Sequence, residues 1–333
     1  MRRRLLVCLL ATVVAAACGG TAATPTSPTL TQIPAASRLA SDYVNELVHT
    51  MQVNSINRDR INWTDFRGQV AQRASGAQTI QDLYPAISLA LGLLDDHHSF
   101  YQAASGGGVG NPLAPHCGAP PAGTPGLPGD IGYVRIGSFS GSVVGADVAF
   151  ADTIQDQIRA RDAANLAGWI VDLRGNGGGN MWPMVAGTGP VLGEGVIGFF
   201  VTPTGSSSPW SYQSGAAFNG STQISRTTAA YVLLSGAAPR VAVLTDNFVA
   251  SSGEAVAVAF RGRPNTRSFG GTTCGLSTAN SGFRLSDGAT LQLTVSLMAD
   301  RIGTRYGIPL VPDEIVEGDG AVVQRAIAWL RSS

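Results

Sequence analysis

The sequence predicts an α/β fold with a small helical cap on its N-terminal side. Three observations carry this. Between Ser37 and Leu94 apolar residues recur at the spacing of a helix face: Leu39, Tyr43, Leu47 and Met51, then Ile80, Leu83, Ile87, Leu91 and Leu94. Further on, Gly168–Leu173 and Arg240–Thr245 are short, strongly apolar runs of the kind found in buried strands. Each leads through a loop into a helical pattern, and such alternation belongs to parallel strands with crossover helices.

Taken in order, the chain opens with Met1-Arg2-Arg3-Arg4, an apolar run from Leu5 to Ala17, and Cys18-Gly19-Gly20. A basic start, a short apolar centre and small residues describe an export signal over residues 1–18. The run is too short to span a bilayer comfortably. Cys18 follows Ala15-Ala16-Ala17, an arrangement that resembles a lipoprotein cleavage box, although a larger aliphatic is usual where Ala15 stands. Lipidation of Cys18 would attach the chain to a membrane surface, periplasmic or outermost; simple secretion is the alternative. Residues 19–36 are small, polar and proline-bearing, which suits a flexible linker. The cap is expected over 37–100 and a glycine- and proline-rich loop over 101–130. The α/β core then fills 131–333. Its expected elements are strand Ile131–Ile136, helix Val144–Ala163, the two buried strands, an alanine-rich helix Ser251–Phe260, strand Thr290–Leu297 and a closing helix Ala321–Leu330.

Composition narrows the chemistry. Apolar residues make up 44%, charged residues 13%, and the formal net charge is zero, so neither disorder nor phosphate-backbone binding fits. All 22 basic residues are arginine, and the histidines are His49, His97, His98 and His116. Once the signal is removed, Cys117 and Cys274 remain and could form one disulfide outside the cytosol; their spacing does not decide it.

Three local patterns can carry chemistry. The first is Val171-Asp172-Leu173-Arg174-Gly175-Asn176-Gly177-Gly178-Gly179-Asn180, a buried strand running into a glycine loop. Such a loop can aim backbone N–H groups at an anion. The lysine of a phosphate loop is missing, so an oxyanion hole is the alternative use, and a plain tight turn is the bland one. The second is Thr245–Glu254, which places Ser251 where a helix begins, either as an ordinary cap or as a nucleophile helped by the helix end. The third is Leu94-Asp95-Asp96-His97-His98-Ser99, a surface turn or the source of a base. A metal set is disfavoured because ligands so close in sequence rarely face one ion, and no cofactor is expected. A serine nucleophile needs a base, and without lysine that leaves His97, His98 or His116.

Together these segments resemble the tail-specific, or carboxyl-terminal processing, serine peptidase family. Val171–Gly179 resembles its Asp-Leu-Arg-x-Asn-x-Gly-Gly loop, Ala250–Glu254 its nucleophile stretch, Ile131–Ile136 its opening strand and Gly307–Asp313 its Pro-Asp tail. The resemblance implies the α/β core shared with ClpP and crotonase. It implies Ser251 as nucleophile, because the reactive serine precedes a glutamate by three positions, with the N–H groups of Gly178 and Ser252 as oxyanion hole. The bacterial branch pairs its serine with a lysine; here the corresponding position falls near Leu276, and the chain holds no lysine. The tricorn-like branch, which includes retinoid-binding modules, takes a histidine from Leu-x-Asp-x-His-Ser/Thr, which selects His98. Its late acidic partner matches Asp300 best, with Asp287 and Asp96 as alternatives. The stretch between His98 and Ile131 is too short for the PDZ module many members carry, so C-terminal recognition by strand addition is not implied.

The expected activity is hydrolysis of exported or unfolded polypeptides, with no nucleic-acid partner. A non-catalytic module binding an apolar ligand or peptide is the rival, since fold alone does not fix function. An esterase is disfavoured because no Gly-x-Ser-x-Gly elbow surrounds Ser251.

Overall fold

The computed structural model describes residues 35–118, 125–141, 143–234, 236 and 238–332. The export signal, Cys18 and nearly all of the linker lie outside the described residues, and no described helix is long and apolar enough to cross a membrane.

Three helices form the N-terminal part: α1 (Arg38–Asn54), α2 (Trp63–Arg73) and α3 (Tyr84–Leu93). Ser37 caps α1, its Oγ accepting from Ala40 N at 3.2 Å, and Asn62 caps α2. The inward face of α1 is Ala40, Tyr43, Val44, Leu47, Val48 and Met51, and Leu39 points to solvent. These helices share one core with Leu285, Leu291 and Leu293, so the cap is packed onto the core sheet rather than standing apart.

The segment read as a loop contains β1 (Phe100–Gln102) and β2 (Gly108–Val109), an antiparallel pair in which Tyr101 meets Val109. β3 (Ile131–Arg135), α4 (Ala146–Arg161) and β4 (Gly168–Asp172) follow close to their expected bounds, and α5 (Met181–Leu192) comes after the glycine loop. Next come four strands the sequence reading did not identify: β5 (Gly195–Val201), β6 (Ser207–Gln213), β7 (Ala216–Asn219) and β8 (Thr222–Arg226). The chain then runs through β9 (Val241–Thr245), α6 (Ser252–Phe260), β10 (Thr266–Gly270), β11 (Thr278–Arg284), β12 (Thr290–Asp300), β13 (Glu314–Ile315) and α7 (Asp319–Leu330).

These strands make two sheets. One is parallel, in the order β13-β10-β9-β4-β3. Alternation along its strands feeds two cores. Trp169, Val171, Val241 and Val243 face a core with α4, α5 and α6, while Ile170, Ala242 and Leu244 face α7 through Val322, Ala326 and Ile327. The second sheet is antiparallel, in the order β2-β1-β12-β5-β6-β7-β8, with β11 also on β12. β12 is its long spine and links the cap to the rest. The glycine loop leaves the carboxyl end of β4 and the turn carrying Ser251 leaves that of β9, the end where open α/β sheets bind ligands.

Candidate active site

The turn that carries Ser251 is shaped by two carboxylates, the half-buried Asp246 and the buried Glu254. Asp246 Oδ1 accepts from Phe248 N at 3.0 Å and Val249 N at 3.1 Å, folding the chain back as β9 ends. Its other oxygen accepts from Gly175 N at 3.1 Å, joining this turn to the glycine loop. Ser251 then sits at φ 52°, ψ −116°, a conformation costly to a residue with a side chain, immediately before α6. Strain of this kind amounts to about 1–3 kcal/mol and persists only where surrounding contacts enforce it.

Glu254 supplies that enforcement. Its side chain is fully buried and accepts from Ser251 N at 3.0 Å, Gly275 N at 3.0 Å, Leu276 N at 2.6 Å and the Thr273 hydroxyl. Burial pushes its carboxyl up to about 7, although all four donors favour the ionised form. Glu254 thus clamps Ser251 to residues 273–276, a role that its place in the short serine motif does not reveal. The same wall is held by the Cys117–Cys274 disulfide, with a Cα–Cα distance of 5.3 Å. It is braced by the tail: Leu310 N donates to Thr273 Oγ1 at 2.8 Å and Gly307 N to Ser277 Oγ at 2.8 Å.

The glycine loop packs directly on this turn. Ala250 N donates to Asn176 O at 3.0 Å, and Ser252 Oγ donates to Gly179 O at 2.6 Å. A Cβ on Gly253 would lie 2.5 Å from Asn176 O, and one on Gly179, at φ +112°, only 1.9 Å from Phe139 O. Both positions therefore require glycine. The Asp-Leu-Arg part of the motif is structural. Arg174 grips Asp172 with two hydrogen bonds of 2.8 and 2.7 Å, both side chains are buried, and Tyr133 adds a third contact to Asp172.

His98 arrives from a turn built by Asp96, whose Oδ1 accepts from His98 N at 3.0 Å and Ser99 N at 2.8 Å. His97 takes φ +65° there and stays exposed beside Asp95, while His98 turns into the fold. Desolvation by the surrounding protein pushes the His98 imidazole down to about 4, so the ring is neutral at ordinary pH. Its Nδ1 lies 2.8 Å from Thr278 Oγ1 on β11, and Asn280 Nδ2 holds its carbonyl at 2.9 Å. His98, Ser251, Ser252 and Gly179 line one cavity of about 770 Å³, whose apolar wall includes Met181, Trp182, Phe200 and Met298. No hydrogen bond joins the Ser251 and His98 side chains. His49 lies on α1 and His116 on the exposed loop before the disulfide; neither lines this cavity.

Two expected members fall elsewhere. Asp300, at the end of β12, is not brought to His98. Its Oδ1 accepts from Ile302 N and Thr304 N, each at 3.0 Å, and its Oδ2 from Tyr306 at 2.8 Å, so it closes its own turn in a different cavity. The alternatives are also occupied: Asp287 binds Tyr43 and Tyr101, and Asp96 shapes the histidine turn. The partner on Nδ1 is the neutral Thr278, a position the motif alignment had no reason to select. Gly178 is buried, and its N–H donates to Asn176 Oδ1 at 2.9 Å. Gly179 N and Ser252 N have no protein acceptor among the described residues, and both residues line the cavity. Among those residues, no group of three His, Cys, Asp or Glu side chains is placed to hold a metal.

The profile of peptidase family S41 matches residues 130–316, more than half of the chain. The chain belongs to peptidase family S41. Its family is thus one of peptidases, as the resemblance of the loop, nucleophile stretch and tail implied. It is 29% identical over 296 residues to the nisin-resistance protein of Lactococcus lactis subsp. lactis, covering 87% of this chain and 86% of that protein. A lipoprotein from Streptococcus agalactiae superposes with a TM-score of 0.68 at 21% identity, covering 88% of this chain and 96% of that one. The photosystem II D1 C-terminal processing protease superposes with a TM-score of 0.55 at 15% identity, over 89% and 98%. Both S41 membership and these folds agree with the expected α/β core and helical cap; at such identities the superpositions speak for the fold alone.

Proposed function

We propose that this S41 member is an exported serine peptidase in which Ser251 attacks a peptide carbonyl and His98 is the base. One observation carries the reading: a strained serine at the head of a buried helix and a desolvated neutral histidine line the same cavity, with unclaimed backbone N–H groups beside the serine. His98 takes the Ser251 proton on Nε2 and returns it to the leaving amine, while Thr278 on Nδ1 fixes the ring. The developing oxyanion meets the N–H groups of Ser252 and Gly179, in place of the expected Gly178. Burial depresses the His98 pKa, and the neutral partner on Nδ1 offsets this less than a carboxylate would.

Placement outside the cytosol is part of this proposal. It is supported by the basic and apolar N-terminus, by the Cys117–Cys274 disulfide and by the structural likeness to a protein described as a lipoprotein. On this reading Cys18 carries the lipid. The name of the Lactococcus relative makes nisin a candidate substrate by analogy. The test is mass-spectrometric detection of cleavage in unstructured peptides and nisin by the chain and by Ser251→Ala. The expected result is cleavage that falls roughly 10³-fold or more in the variant. Undiminished cleavage would remove Ser251 from the mechanism; peptide binding with no cleavage by either protein would favour a non-catalytic binding module.

A further inference from the structure

A second cavity, of about 600 Å³, adjoins the one holding Ser251, and His97 and Thr278 line both. Ile56, Leu297 and Ile308 give it apolar walls. Two arginines line it from segments far apart in the chain: Arg60 from the cap and Arg305 from the turn after β12. Neither arginine forms an ion pair among the described residues. The Arg60 side chain contacts only the neutral Asn57 Oδ1, at 3.4 Å, and the Arg305 side chain has no partner among the described residues. Asp95 and Asp96 line the same cavity and pair with neither arginine. Asp96 accepts from His98 N, Ser99 N and the Ser99 hydroxyl, and Asp95 lies 3.5 Å from His97.

The chemistry of the neighbouring site sets the direction in which a substrate passes. A general acid must face the nitrogen it protonates, so the leaving amine and everything C-terminal to it lie on the His98 side. Thr278 backs the His98 ring and forms the wall common to both cavities. A chain leaving the catalytic cavity past His98 has the arginine-bearing cavity ahead of it.

From this geometry we infer that Arg60 and Arg305 bind a carboxylate on the leaving portion of the substrate, with the apolar wall taking a hydrophobic side chain next to it. The direction of passage rests on the proposed hydrolysis; the carboxylate site itself does not. The carboxylate is either the substrate's own C-terminus or an Asp or Glu side chain shortly after the scissile bond. A planar guanidinium fork suits either, since it can meet both carboxylate oxygens.

The test uses the full chain carrying Ser251→Ala and three fluorescent peptides of one sequence: a C-terminal acid, a C-terminal amide, and an amide with Asp replacing Asn in its last residues. Binding is read by anisotropy. The inference expects one of the two carboxylate-bearing peptides to bind at least about tenfold more tightly than the plain amide. Adding Arg305→Gln, or Arg60→Gln with Arg305→Gln, should bring that ratio close to one; both side chains are exposed, and an unchanged melting temperature confirms an intact fold. Preference for the acid identifies a C-terminus reader, and preference for the Asp peptide identifies an acidic side chain. Equal affinity for all three peptides, or a preference that survives both substitutions, would overturn the inference. Without Ser251→Ala, the same preference should appear in kcat/KM. Selective binding with no cleavage would refute the peptidase reading and leave the carboxylate site standing.

Discussion

At the scale of single residues, Glu254 and His98 are opposed titrating groups within one site. The native state holds the His98 pKa at about 4 against an ordinary 6.5, so between those values the unfolded chain binds more protons and stability rises with pH. Glu254 is held at about 7 against 4.5, so there the native state binds more protons. Its contribution is fully present below pH 4.5 and is lost as pH rises to 7. Replacing Glu254 by Gln removes only that second titration. The stability advantage of the natural chain over Glu254→Gln should therefore shrink between pH 4.5 and 7, by about 1.4 kcal/mol per pH unit where the proton difference is complete. Urea unfolding at several pH values measures it, and a pH-independent difference would show that Glu254 stays ionised. A second pair of variants separates Thr278 from Asp300. Thr278→Val removes the hydroxyl on His98 Nδ1 and should lower kcat roughly tenfold or more with KM little changed. Asp300→Asn weakens a turn elsewhere and should lower the melting temperature with kcat preserved. The reverse pattern would return Asp300 to the triad. Ser251 and His98 were legible in the sequence because each lies in a short contiguous motif. Thr278 was not, because it meets His98 across 180 positions and a threonine in a strand carries no signal of its own.

At the scale of elements, contiguity again decides what could be read. β3, β4 and β9 announce themselves as apolar runs because both faces of the parallel sheet are covered. β5 to β8 do not. β6 reads Ser-Ser-Pro-Trp-Ser-Tyr-Gln, only Trp210 and Tyr212 are buried in it, and the β5–β6 and β7–β8 pairings contain register shifts. Such strands are held by their cross-strand neighbours rather than by their own composition. The disulfide makes a testable element-level link. Cys117 and Cys274 are 157 positions apart, and Cys274 N also donates to Val249 O at 2.8 Å, two residues before Ser251. Cys117→Ser with Cys274→Ser should cost roughly 2–5 kcal/mol in stability. Because Gly275 and Leu276 hold Glu254, activity measured below the melting transition should fall as well. Unchanged activity would separate the disulfide from the Glu254 clamp on Ser251.

At the scale of the whole molecule, the site is assembled where the two sheets and the cap converge. The parallel sheet supplies Ser251 and the glycine loop at its carboxyl end, the antiparallel sheet supplies Thr278 on β11, and the turn after α3 supplies His98. No single segment holds more than one of these groups, so motif order could indicate the family while the third partner required three-dimensional placement. The central claim is that Ser251 is a nucleophile activated by His98. Its most direct test is reaction with a serine-directed fluorophosphonate, with the adduct mapped by mass spectrometry and its rate followed in the natural chain and in His98→Ala. The account predicts a single adduct on Ser251, formed at least about 100-fold more slowly without the imidazole. An adduct on another residue, or a Ser251 rate indifferent to His98, would contradict it.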